Sequence, residues 1–118
     1  MFNFEKLETW NEAIAFADIV YQLTRRFPAE EQFGLTNQMR RAAVSISSNL
    51  AEGCSRSSKV DYARFVEIAT GSVFEVVSQA TIGRNQGFLS LADYEQLYRA
   101  AEKQSRMLSG LRKSLVTR

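Results

Sequence analysis

The chain has 118 residues, of which 45% are hydrophobic; that is enough for one folded domain spanning residues 1–118 and too apolar for a disordered chain. The absence of histidine and the single cysteine, Cys54, exclude Ser-His-Asp and Cys-His triads, His-ligated zinc, Glu-x-x-His di-iron ligands and any intrachain disulfide. Net charge is only +2, but residues 1–34 carry net −3, residues 35–98 balance, and residues 99–118 carry net +5 through Arg99, Lys103, Arg106, Arg112, Lys113 and Arg118 against Glu102. An acidic start and a basic end suit either head-to-tail self-association or an anionic partner. No apolar run approaches the roughly 18 residues of a membrane span. Met1-Phe2-Asn3-Phe4-Glu5-Lys6 lacks the basic head and apolar core of a signal peptide, so a cytoplasmic location is expected.

The first helix is predicted from Leu7 to Arg26. Trp10, Ala13, Ile14, Ala17, Val20, Tyr21 and Thr24 recur at spacings of three and four, one helical face. Phe27-Pro28 ends it, because the residue before proline is pushed out of the α region. A short acidic loop then runs to Gly34.

The second helix is predicted to start near Thr36, whose hydroxyl suits an N-cap. Met39, Ala42, Ala43, Ile46 and Leu50 form its apolar face, and Gly53 serves as its stop. Cys54-Ser55-Arg56-Ser57 reads as a connector. The third helix starts at Ser58, with Asp61 in a capping-box spacing. Its face is Tyr62, Phe65, Val66, Ala69, Val73, Val76, Val77 and Ala80, with Gly87 as the stop. The fourth starts at Ser90, again with an acid, Asp93, three residues on. Tyr94, Leu97, Tyr98, Ala101, Ser105, Leu108 and Leu115 mark its buried face. Four helices of about twenty residues each, or about 30 Å, with short loops predict an all-α, antiparallel up-and-down four-helix bundle.

Catalytic and cofactor chemistry is not expected. The six glycines are scattered and make no phosphate loop. Cys54 as a nucleophile requires an activating neighbour such as Arg56; a small residue at a helix end is the plainer reading. Glu52, Glu67 and Glu75 are spaced to meet across the second and third helices, where ion pairs with Arg40 or Arg41 are the ordinary expectation over a paired acid and base.

Three polar patterns remain. On the second helix Gln38, Arg41, Ser45, Asn49 and Glu52 form a stripe beside the apolar one. On the third, Ile68, Gly71, Ser72 and Glu75 form another. A glycine inside a helix costs about 1 kcal/mol relative to alanine, so Gly71 implies a close approach by another group. Together these residues predict a polar network between helices or between subunits, against the alternative of a solvated face. On the fourth helix Arg99, Lys103, Arg106 and Lys113 share one face. Such a ridge suits a phosphate backbone, with solvated cations as the alternative. Exposed aromatic rings among the charges would point to single-stranded RNA, but Tyr94 and Tyr98 are predicted in the core.

The run Phe27-Pro28-Ala29-Glu30-Glu31-Gln32-Phe33-Gly34-Leu35-Thr36, followed by Gln38, Arg40-Arg41-Ala42-Ala43, Ser45-Ile46 and Ser48-Asn49-Leu50-Ala51-Glu52-Gly53, resembles the four-helix-bundle proteins encoded in intervening sequences of 23S ribosomal RNA genes. Ala69, Gly71-Ser72 and Glu75 match a second signature; Leu7, Trp10, Ala13, Leu108, Gly110 and Leu111 fit as well. The resemblance implies a four-helix bundle assembled as a ring-like homopentamer, with no catalytic residues. Similar proteins include the accessory variability determinant of diversity-generating retroelements, a basic protein that binds nucleic acid and partners a reverse transcriptase. The function expected is a homo-oligomeric module binding RNA or a ribonucleoprotein, with a protein-interaction scaffold as the alternative.

Overall fold

The computed structural model describes residues 1–116; Arg118, counted above in the basic end, lies outside the described residues. Four helices carry the architecture: α1 Glu8–Thr24, α2 Leu35–Cys54, α3 Lys59–Asn85 and α4 Leu91–Val116. Short 3-10 turns at Asn3–Lys6 and Ala29–Glu31 precede α1 and α2. No strand occurs among the described residues. The helices are not equal: α1 and α2 have 17 and 20 residues, α3 and α4 have 27 and 26. The last two keep a helical pattern beyond the twenty residues expected from the sequence.

Each helix packs against the next, and α1 also packs against α4. The side-chain contacts join late residues of one helix to early residues of its neighbour. Thr24 meets Arg40, Cys54 meets Tyr62, Thr81 meets Tyr94, and Arg26, just past the end of α1, meets Asp93. That pattern is compatible with an antiparallel up-and-down course. The core is one apolar cluster with Phe16, Met39, Ile46, Leu50, Val66, Val73, Leu97 and Leu108 at its centre.

The predicted faces of α2 and α3 are buried as expected, except that Tyr62, Phe65 and Val77 are only half-buried. On α1 the face is rotated. Ala13, Phe16, Val20 and Leu23 are buried, as is Phe27 just beyond the helix, whereas Ile14 and Tyr21 stand 37% and 36% exposed. Positions 13, 16, 20, 23 and 27 keep helical spacing as well as the predicted set does, and packing against both α2 and α4 selects them. On α4, Tyr98 is exposed, and Gln104 takes a fully buried position. Gln104 Nε2 donates to the Thr9 carbonyl at 3.3 Å, while its Oε1 has no protein partner.

The caps explain where the helices begin and end. Ser58 and Ser90 accept hydrogen bonds from the backbone N–H of Asp61 and Asp93, both at 3.1 Å, as predicted. Thr36 is not the cap of α2. It is buried in the first turn, and the Glu31 carboxylate reaches in from the preceding turn to accept from the Leu35 N–H at 3.1 Å. Gly87 has φ +81°, and the Phe88 and Gly87 amides donate to the carbonyls of Gly83 and Arg84. This is a Schellman closure, which favours glycine at the left-handed position. Gly53 is not a stop, since α2 continues to Cys54. A Cβ there would lie 2.9 Å from Tyr62 Cδ1 and 3.0 Å from Phe65 Cβ, so Gly53 is the point where α2 and α3 close on each other.

Beside that contact, the Cys54 thiol and the Tyr62 hydroxyl lie 3.0 Å apart. Burial, followed by the hydrogen bond and charge interaction with Cys54, holds the Tyr62 phenol well above its ordinary range. A group whose pKa is raised on folding stabilises the fold below its unfolded value and loses that contribution as pH rises. Stability is therefore expected to fall above about pH 10, the ordinary tyrosine value. Tyr62→Phe should flatten that fall in urea titrations run at several alkaline pH values. An unchanged pH dependence would remove Tyr62 as its source.

Candidate nucleic-acid interface

The sequence-predicted cationic residues Arg99, Lys103, Arg106 and Lys113 all lie exposed on the outer side of α4. That side is set by the buried positions opposite, Leu97, Ala101, Gln104 and Leu108. The acidic start and basic end meet within the chain. Lys103 of the basic end pairs with Glu12 of α1 at 3.3 Å; Arg26, just past α1, pairs with Asp93 of α4 at 2.9 Å with the charges reversed. Part of the charge asymmetry is thus satisfied between α1 and α4. Arg112 is engaged too, binding Glu67 of α3 at 2.7 Å. Exposed pairs of this kind contribute little stability, so they leave the cations available to a polyanion.

Next to the ridge, α3 and α4 form a groove lined by Arg84, Leu91, Tyr94, Glu95, Tyr98 and Arg99. Of the two tyrosines predicted in the core, Tyr94 packs against it and Tyr98 does not. Tyr98 is 43% exposed and Tyr94 is half-buried. Leu97 and Ala101 fill the core positions on this part of α4, which leaves Tyr98 at the edge of the buried face. The Arg84 guanidinium lies 5.3 Å over the Tyr94 ring, and the two tyrosine rings are 6.0 Å apart. Arg84 was missed in the sequence because it stands on a different helix from the ridge. The signal in the sequence was Tyr94 and Tyr98 four apart, immediately before Arg99.

The polar stripes converge only in part. Gln38, Arg41, Ser45, Ser72 and Glu75 line one groove between α2 and α3, together with Ala42 and Gln79. Within it Ser72 Oγ donates to Ser45 Oγ at 3.0 Å, and Asn49, outside the lining, donates through Nδ2 to the Ser45 carbonyl and hydroxyl at 2.7 and 2.9 Å. Glu52 stands apart and pairs with Arg56 at 3.0 Å. Gly71 has no close neighbour within the chain: a Cβ there would meet none of its atoms within 4 Å. The three glutamates do not meet as a group either. Glu52 and Glu67 pair with Arg56 and Arg112, while Arg40 donates to Thr24 Oγ1 and covers the Tyr21 ring. No cluster of three metal-ligating side chains occurs among the described residues. No helix among them is long and apolar enough to cross a membrane. Because Asn49 holds Ser45, which in turn accepts from Ser72 of α3, Asn49→Leu is expected to disturb assembly or the uniqueness of the fold more than Lys59→Ala. Proton NMR dispersion and light scattering would read this, and equal behaviour of the two variants would contradict it.

The family model of the 23S rRNA-intervening sequence protein matches residues 5–110. The chain belongs to that family. No curated protein matches the chain closely enough to add a relative. Among solved structures, the chain is similar to a protein of unknown function from the S23 ribosomal protein family of Bacteroides thetaiotaomicron, with a TM-score of 0.79 at 18% identity over 89% of this chain and 98% of that one. At that identity the likeness establishes the shared fold. The intervening-sequence family match thus takes in α1, α2, α3 and most of α4, including Arg99, Lys103 and Arg106; Lys113 lies beyond it.

Proposed function

We propose that this intervening-sequence family protein is a non-enzymatic, homo-oligomeric four-helix bundle, antiparallel and up-and-down, that binds RNA or a ribonucleoprotein through the outer face of α4. The observation that carries this reading is the exposure of Arg99, Lys103, Arg106 and Lys113 along one side of one helix. Cations held at helical spacing on a rigid rod release counterions when they neutralise successive phosphates, and that gain needs no base sequence. Self-association is supported by large apolar side chains left outside the core on α3, with Ile68, Phe74 and Ile82 49%, 64% and 50% exposed. The resemblance described above extends the proposal to a ring of five copies. It also extends it to kinship with the accessory variability determinant of diversity-generating retroelements, and to a cytoplasmic setting. No cofactor or small-molecule substrate enters this reading.

The test is a triple charge reversal, Arg99→Glu, Lys103→Glu and Arg106→Glu, assayed with nuclease-treated protein for binding to structured and single-stranded RNA. Each variant position is exposed, so folding should be retained. Affinity is expected to fall by at least about a hundredfold at low salt, since three attractive phosphate contacts become repulsive. Unchanged affinity would overturn the role of α4. The alternative, a protein-interaction scaffold without nucleic-acid binding, draws on the apolar groove between α3 and α4 lined by Val73, Phe74, Val77, Tyr98 and Ala101. Co-purification of one protein partner after nuclease treatment, with no affinity for RNA, would favour it.

A further inference from the structure

The groove of Arg84, Tyr94, Tyr98 and Arg99 has a composition that the ridge alone does not need. We propose that it is a stacking site for an unpaired base of single-stranded RNA; this rests on the RNA-binding reading above and names the form of RNA that the site takes. The groove is open to solvent and offers about 290 Å³, close to the lower end of the range for small-ligand sites and enough for one flat base rather than a larger ligand. Its aromatic wall is held in place before any ligand arrives. The Tyr94 hydroxyl lies 3.1 Å from Thr81 Oγ1, and the Arg84 guanidinium covers the same ring at 5.3 Å. Tyr98, 6.0 Å from Tyr94 and tilted 39° to it, offers the exposed ring. Tyr94, fixed in this way, gives Tyr98 a settled neighbour, so the site loses little freedom on that side when a base stacks.

The charges are placed for a strand rather than for an isolated base. Arg84 and Arg99 stand in the groove's lining, and Arg99 opens the ridge that continues through Lys103 and Arg106. A strand whose base enters the groove therefore finds cations for its phosphates along α4. In a duplex the base faces are already stacked on their neighbours, so the aromatic wall adds nothing there. The acidic residue in the lining is Glu95. Its carboxylate opposes the phosphates and sets a second, independent handle on the site.

Fluorescence anisotropy with a labelled, unstructured oligouridine and with an RNA duplex of the same length tests the proposal. Tyr98→Ala is expected to weaken single-strand binding about tenfold, the ordinary effect of one stacked base, and to leave duplex binding unchanged. Tyr98→Phe should keep wild-type affinity because the ring is retained, and Glu95→Gln should tighten binding of both RNAs. If both RNAs bind but Tyr98→Ala affects neither, or both equally, the stacking site is overturned and the α4 ridge stands. If neither RNA binds wild-type protein at low salt, the stacking site and the RNA-binding reading fall together.

Discussion

Phe16→Ala is expected to destabilise the bundle by about 3–5 kcal/mol, the range for truncating a fully buried phenylalanine. Phe16 is 1% exposed and belongs to the central apolar cluster beside Ala13 and Val20. Removing the ring leaves a void among helices whose backbones are held by other contacts, so collapse into it is limited. Ile14 is the matched comparison. It stands two residues away on α1, and it is 37% exposed. Ile14→Ala should cost no more than about 1–1.5 kcal/mol, because little of its surface change comes from the core. Urea denaturation of the two variants reads the difference directly. A larger loss for Ile14→Ala than for Phe16→Ala would mean that α1 is rotated relative to the packing described.

Gly53→Val should cost about 2–3 kcal/mol through overpacking. Its Cβ would meet the Tyr62 ring at 2.9 Å, and the Phe65 Cβ, attached directly to the α3 backbone, at 3.0 Å. The ring has some freedom to turn, but Phe65 Cβ moves only with its helix. Relief therefore requires α2 and α3 to separate where they join. Replacing a helical glycine returns about 1 kcal/mol at most, less than the expected strain. Gly71→Ala gives the contrast. Nothing lies within 4 Å of the added carbon, so the variant is expected to be about 1 kcal/mol more stable than wild type. Thermal denaturation of both variants checks the pair. A stable Gly53→Val protein would show that the α2–α3 junction yields more easily than its contacts indicate.

These two glycines show what was legible in the sequence and what was not. Both interrupt helical patterns, and both suggested something special at their positions. The residue type is the same for a chain end, a close approach and an open surface: Gly53, read as a stop, is where α2 and α3 close on each other, and Gly71, read as a close approach, has no neighbour within the chain. The partners that decide the matter are far along the chain or absent. Gly87 was legible because a left-handed closure leaves local marks, with a helical pattern ending just before it. Ser58 and Ser90 were legible for the same reason, since each caps an amide only three residues away. Thr36 misled because the group that caps α2 comes from Glu31, on the preceding turn.

The apolar faces follow the same rule. The core positions of α2 were read directly, because its one apolar stripe is separated from a polar one. On α1 two overlapping ladders fit the spacing, and only contacts with both α2 and α4 choose the one containing Phe16 and Leu23. The α4 ridge was visible as a run of cations on one face. The groove beside it was not, because Arg84 is contributed by α3 and the exposure of Tyr98 depends on where α3 lies. Gln104 was missed altogether, since a polar residue at a core position carries no mark of burial in its own sequence neighbourhood.

We propose above that the exposed cations of α4 engage RNA as part of a self-associated bundle. The most direct measurement is RNA affinity across a salt titration, with molecular mass read by light scattering in the same buffers. Four cations meeting a single strand predict a slope of about −3 in the logarithm of the binding constant against the logarithm of salt concentration, with the mass above that of one chain throughout. A well-formed oligomer that fails to bind RNA at low salt, or binds it with no salt dependence, would contradict the account.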